Sequence, residues 1–143
     1  MIADAAADER PVTVLRDSVE TSWPIRVIEG RYPELTLTLT GDGRTWNAVG
    51  TSVFAALMDL REQLEAERIQ LCCNGARRNA WSSGMQQDMG RGHSVYLLEE
   101  NQSGEPTEVR TLDPAPGDQV VTVLEQRTWY ADWLAQRTGG RRK

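Results

Sequence analysis

ELTLTLTGDGRTWNAVGTSVFAALMDLREQLE, residues 34–65, changes its apolar period part-way along, and that change sets the fold class. Leu35, Leu37 and Leu39 alternate with Thr36, Thr38 and Thr40. Successive side chains of a strand point to opposite faces, so the pattern predicts a strand with a leucine face and a threonine face. Gly41-Asp42-Gly43 has the composition of a tight hairpin turn. RTWNAV at 44–49 then reads as the antiparallel partner, with Trp46 and Ala48 on one face. From Val53 the period becomes helical. Val53, Leu57, Leu60 and Leu64 form one stripe, widened by Phe54 and Met58. Thr51 or Ser52 suits the N-cap. The helix is expected to close near Glu67, with Arg61 and Glu65 paired on its polar face.

Towards the N-terminus, PVTVLR at 11–16 and WPIRVIE at 23–29 read as two further strands, with Asp17 to Ser22 as a polar break. Pro24 suits an edge or a strand start. Residues 1–10 read as a frayed, flexible tail. Towards the C-terminus, IQLCC at 69–73 predicts a short buried strand. SVYLLE at 94–99 and EVRTL at 108–112 predict a hairpin around a polar loop, and DPAPGD at 113–118 a linker. A last helix is expected from about residue 123 to 137. Thr122 and Glu125 have capping-box spacing, and Val123, Tyr130, Trp133 and Leu134 form its apolar face. Gly139-Gly140 is expected to stop it, leaving 139–143 as a basic tail. The order β-β-β-β-α-β-loop-β-β-α predicts an α+β fold. It would hold a mostly antiparallel sheet of about five to seven strands, with a central and a C-terminal helix packed on it. One domain is expected to span 11–138.

The chain has 143 residues, 39% hydrophobic and 26% charged, enough for one core without disulfides or metal. Its net charge of −5 argues against a nucleic-acid partner. Its apolar runs fall far short of the ~20 residues of a membrane span, so no membrane partner is expected. Met1 to Arg10 lacks the basic start and apolar middle of a secretory signal, and the expected address is cytoplasmic. The two cysteines, Cys72 and Cys73, are adjacent and poorly placed to bridge one another. With a single histidine, Cys and His alone cannot assemble a zinc set. No cofactor is expected.

The long block from Asn74 to His93 is the segment left free for function. Arg77, Arg78 and Arg91 make it basic, and Ser82-Ser83-Gly84 leads into an expected helical turn over 84–89. Gly75, Gly84, Gly90 and Gly92 permit left-handed backbone or close approach. Together they outline a cradle for a phosphate or carboxylate. The bland alternative is an ordered connection whose arginines pair with acidic neighbours. Trp81, Met85 and Met89 are expected to anchor the segment to the core. Cys73 and His93 bracket it and are the minimum pair for thiol catalysis, although no third, orienting residue is evident. Trp129 and Trp133, one helical turn apart, are either core or an exposed patch for a partner.

The block CNGARRNAWSSGM at 73–85, with DMGRG at 88–92 and VYLL at 95–98, resembles a recurring block in a family of small uncharacterised bacterial proteins. TVLEQRTWYADW at 122–133 resembles that family's ending. No activity is assigned to the family, so the resemblance implies no catalytic residue. The leading expectation is a non-enzymatic domain, a regulator or immunity-type partner of another protein. Its contact residues would be Arg77, Arg78, Asn79, Trp81, Ser82, Ser83 and Arg91. A domain that binds an anionic small molecule through the 74–93 loop is the first alternative. A Cys/His enzyme is the second.

Overall fold

Alternation in the four N-terminal strands builds one face of apolar side chains, and that face is the floor of the core. The computed structural model describes the backbone of residues 6–140 and the side chains of 8–137. β1 (Ala6–Arg16), β2 (Val19–Glu29), β3 (Leu35–Gly41) and β4 (Arg44–Gly50) form an antiparallel meander, and β5 (Ile69–Leu71) adds to β1. The sheet order is β4-β3-β2-β1-β5. Leu35, Leu37 and Leu39 are fully buried, opposite Trp46 and Ala48 of β4 and Ile25 and Val27 of β2. Trp23 and Trp46 stack with ring centroids 5.6 Å apart. The β3–β4 turn is the expected one. Asp42 and Gly43 both have positive φ, as a two-residue hairpin with right-handed strand twist requires.

Two sequence expectations at this end are corrected. Residues 6–10 are not a tail, because they pair with 25–29 along β2; residues 1–5 lie outside the described residues. The polar break over 17–22 is only two residues long. Asp17 and Ser18 turn with positive φ, and Val19 to Ser22 continue β2 with exposed side chains. Polar residues there mark a solvent-facing length of strand, not a loop. Pro11 and Pro24 face each other inside this ladder. β5 pairs only with 14–16 of β1, and β3 pairs with β2 only from Ile25, so neither proline interrupts the ladder on its outer side.

α1 (Val53–Glu65) lies on this sheet. Ser52 caps it, its Oγ accepting from the Ala55 amide at 3.0 Å. The expected stripe Val53, Leu57, Leu60 and Leu64 faces the five-stranded sheet. Phe54 and Met58, on the adjoining flank, join a smaller cluster with Ala80, Val95 and Val123. That cluster sits under a second sheet, order β6-β7-β8, made of Ala80–Trp81, Ser94–Leu97 and Thr107–Arg110. The strands therefore divide between two antiparallel sheets around one helix.

Arg61 is also corrected. It lies on the buried side of α1, 2% exposed, and not on a polar face. Its guanidinium donates to Gln126 Oε1 and, at 2.6 Å, to Val121 O, while Glu65 stands 3.9 Å away. Gln126, itself fully buried, donates onward to Gly75 O at 3.0 Å and Ala80 O at 2.7 Å. Burial pulls the Arg61 guanidinium below its ordinary value, with Cys73 and Glu65 opposing. This buried polar network joins α1 to α3 (Val123–Gly140). The capping box holds at the start of α3: Glu125 N donates to Thr122 Oγ1 and Thr122 N to Glu125 Oε1, both at 3.1 Å. The helix runs through Gly140 and does not stop before Gly139. Glycine ends a helix by turning left-handed, and neither residue does so. Residues 141–143 of the expected basic tail lie outside the described residues. Only the first turns of α3 enter the core. Val123 and Gln126 are buried, Tyr130 and Trp133 half-buried, and Leu134 is exposed. Among the described residues no helix is long and apolar enough to cross a membrane.

Candidate functional site

The 74–93 segment is ordered by backbone pairing from the start. Asn74 N donates to Asp113 O at 2.9 Å, Gly75 N to Thr111 O at 2.8 Å and Arg78 N to Gln119 O at 3.1 Å. The expected linker over 113–118 runs alongside the start of the segment and the residues before it, with Cys73 bridged to Pro114 and Ala115 N donating to Cys72 O at 3.1 Å. A 3-10 turn (Asn74–Ala76) leads to β6, and α2 (Gly84–Met89) follows. Ser83 and Gln86 form a reciprocal capping box at α2. Gln86 N donates to Ser83 Oγ at 3.1 Å, and Ser83 N donates to Gln86 Oε1 at 2.8 Å. Gln86 Nε2 also reaches Glu108 Oε2 at 2.9 Å. Gln87 bonds Ser82 O and accepts from Ser52 Oγ at 3.0 Å, which ties α2 to the cap of α1. Gly92 has φ +71, and a Cβ there would stand 2.7 Å from the Ser52 Cβ, so the segment must re-enter the fold with a glycine at this position. Gly75 serves close approach instead, since a Cβ there would stand 2.6 Å from Leu57 Cδ2 and 2.7 Å from Thr111 Cγ2, whereas Gly84 has neither a positive φ nor a close neighbour.

These bonds use up most of the expected cradle. Ser83 is spent on the helix cap, and buried Ser82 donates to Ser94 O at 3.0 Å. Asn79 Nδ2 donates to Leu98 O at 2.7 Å. Trp81 packs edge-on to Phe54 and stacks on Tyr130 at 4.1 Å. Arg91 reaches the carbonyls of Thr51, Pro33 and Glu34, lies 3.8 Å from Glu29 and covers the Tyr32 ring. Arg77 is half-buried beside Asn74, with a buried Nε that has no hydrogen-bond partner. Arg78 alone of the seven is exposed, and it lines a different cavity. Arg77 and Arg91 are held by separate neighbours, and the serines satisfy the fold.

Cys73 and His93 share no hydrogen bond among the described residues. His93 Nε2 lies 2.8 Å from Glu29 Oε2. Cys73 is fully buried, and its thiol is pushed up to about 11 by burial, with Arg61 opposing. A thiol with that value is almost wholly protonated near neutral pH, and a protonated thiol is a poor nucleophile. No group of three or more His, Cys, Asp or Glu able to hold a metal ion occurs among the described residues.

The segment also offers large apolar side chains to solvent. Met85 is 71% exposed and Met89 81% exposed, which corrects the expectation that they anchor the segment. The α2 helix is inverted: its glutamines turn inward to polar partners and its methionines turn outward. Beside it lies a surface cavity of about 490 Å³, lined by Met85, Gln86, Gly90, Tyr96 and Glu108 among others. Sequence reasoning missed Tyr96 and Glu108. The i, i+4 spacing of Met85 and Met89 put them on one face, but nothing local said that this face looks outward. The chain matches no family model, and no curated protein matches it.

Proposed function

We propose that this protein is a non-enzymatic binding domain that engages another protein through the Met85–Met89 face and the cavity next to it. The inverted burial of α2 carries the reading. Two large apolar side chains are held out to solvent on a helix fixed by a double cap and by glutamine bonds to both neighbouring elements. Scattered exposed apolar residues need no explanation, but a pair beside a cavity on a pinned helix is suited to a contact. Methionine is enriched at interfaces because its flexible thioether adapts to a partner's shape. A helix already held in place loses little entropy on binding.

Burying each methionine would contribute about 1.5–3 kcal/mol. Replacing both with Asp is therefore expected to weaken the complex by at least about a hundredfold. The experiment is affinity capture of the tagged chain from its own host, beside a Met85→Asp/Met89→Asp variant, read by native mass spectrometry. One protein at fixed stoichiometry, lost from a variant that melts like the parent, supports the reading. A bare monomer from both samples overturns it.

A further inference from the structure

Two adjoining cavities lie along α3, away from the methionine face. The first, about 310 Å³, is lined by Arg78, Asn79, Glu99, Glu100, Asp118 and Trp129, among others. The second, about 130 Å³, shares Glu100 and Trp129 and adds Asp132, Trp133 and Gln136. Four acidic residues and one arginine thus line the two cavities. Among the described residues none of these five charged groups is in a salt bridge. The groove is built: Trp133 Nε1 donates to Glu99 O at 2.7 Å and Asn79 is bonded to Leu98, so both walls are tied together. The helix also displays the chemistry the groove invites. The Arg137 guanidinium lies 4.6 Å from the Trp133 ring centroid, a cation held on an indole face.

We propose that this groove receives a basic peptide segment of a partner protein, with an arginine or lysine side chain against Trp129 and its charge among Glu99, Glu100, Asp118 and Asp132. Three physical points converge on that occupant. Carboxylates without intramolecular partners gain most from an incoming cation. An indole face adds an attraction that a carboxylate cluster alone lacks. The larger cavity is at the small end of the ~300–1,000 Å³ range of ligand sites, which matches a side chain better than a cofactor. The net charge of −5 steers such a segment inwards. Arg78 opposes the cation, so its removal strengthens binding, the reverse of its role in an anion site. The inference stands apart from the methionine reading, since neither Met85 nor Met89 lines the groove.

The test is calorimetric titration of the full chain, at low salt, with the blocked peptide acetyl-Gly-Arg-Gly-Arg-Gly-amide. The Trp129 indole resonance is followed in parallel. Expected are binding with a shift of that resonance, and a loss of about three- to fivefold in Glu100→Gln, the scale of a partly exposed ion pair. A comparable gain is expected in Arg78→Ala. Glu62→Gln removes the same charge from the exposed side of α1 and is expected to bind like the parent. No binding by the parent overturns the proposal, as does equal weakening in Glu62→Gln or weakening in Arg78→Ala. Binding of the same peptide with Glu in place of Arg overturns it too.

Discussion

The five-stranded sheet and the three-stranded sheet sit on adjoining flanks of α1 and are held by different physics. Under the first lies a continuous apolar cluster in which alternate residues of β1 to β4 are buried together. Under the second the buried cluster is small, namely Phe54, Met58, Ala80, Val95 and Val123. Its surroundings are joined by polar bonds: Arg61 to Gln126, Gln126 to two carbonyls, Gln86 to Glu108, Asn79 to Leu98. Where apolar contact does the holding, apolar side chains are inside. Where hydrogen bonds do it, Met85 and Met89 stand out in solvent and Trp129 is half-buried at a cavity wall, and both candidate contact sites lie in that half.

The comparison breaks or sharpens at particular residues. Leu37→Ala removes a fully buried side chain from the centre of the larger cluster, and urea unfolding is expected to register a loss of about 2–5 kcal/mol. Gln126→Leu keeps volume but strips partners from Arg61 and from the Gly75 and Ala80 carbonyls. A loss of about 2–4 kcal/mol is expected, because a buried charge then lacks a hydrogen bond. A neutral or stabilising result would mean that the smaller half is held by apolar packing after all. Ser83→Ala removes one arm of the α2 capping box and should cost about 1 kcal/mol in the same assay.

Cys73 gives a test confined to alkaline solution. The unfolded thiol titrates near 9.0 and the folded one near 11, so above pH 9 the unfolded chain holds fewer protons than the folded one. The contribution is therefore complete below pH 9 and is lost as pH rises towards 11. Thermal melts of the parent and of Cys73→Ala across that window should converge at its upper end. The smallest effect is expected from Met85→Gln/Met89→Gln, within about 0.5 kcal/mol per residue by urea unfolding, since both side chains are already in water. A loss well beyond that would place them in the core and remove the basis of the methionine contact face.

The same division explains what was legible. Leu35, Leu37, Leu39 and the Val53 stripe could be read because period two and period 3.6 mark a face whichever partner covers it. Ser52, Asp42-Gly43 and the Thr122–Glu125 box were legible because their chemistry is complete within four residues. Arg61 was misread because a charged residue on a helix is ordinarily solvated, and its partner Gln126 is distant in sequence. Arg77, Arg78 and Arg91 share a short stretch of chain, but the path through β6 and α2 separates Arg91 from the other two.

The sequence by itself determined the α+β class, the β3–β4 hairpin, the start and buried stripe of α1 and the cap of α3. Each follows from local stereochemistry and from the periodicity with which a regular backbone presents its side chains. Only the tertiary structure decided that the strands divide into two sheets and that Arg61 and Gln126 lie inside. It also decided that Met85 and Met89 lie outside and that Glu100 and Asp118 share a groove with Trp129. Burial belongs to a pair of surfaces, and one strand or helix taken alone fixes only which residues share its faces, never which face will be covered.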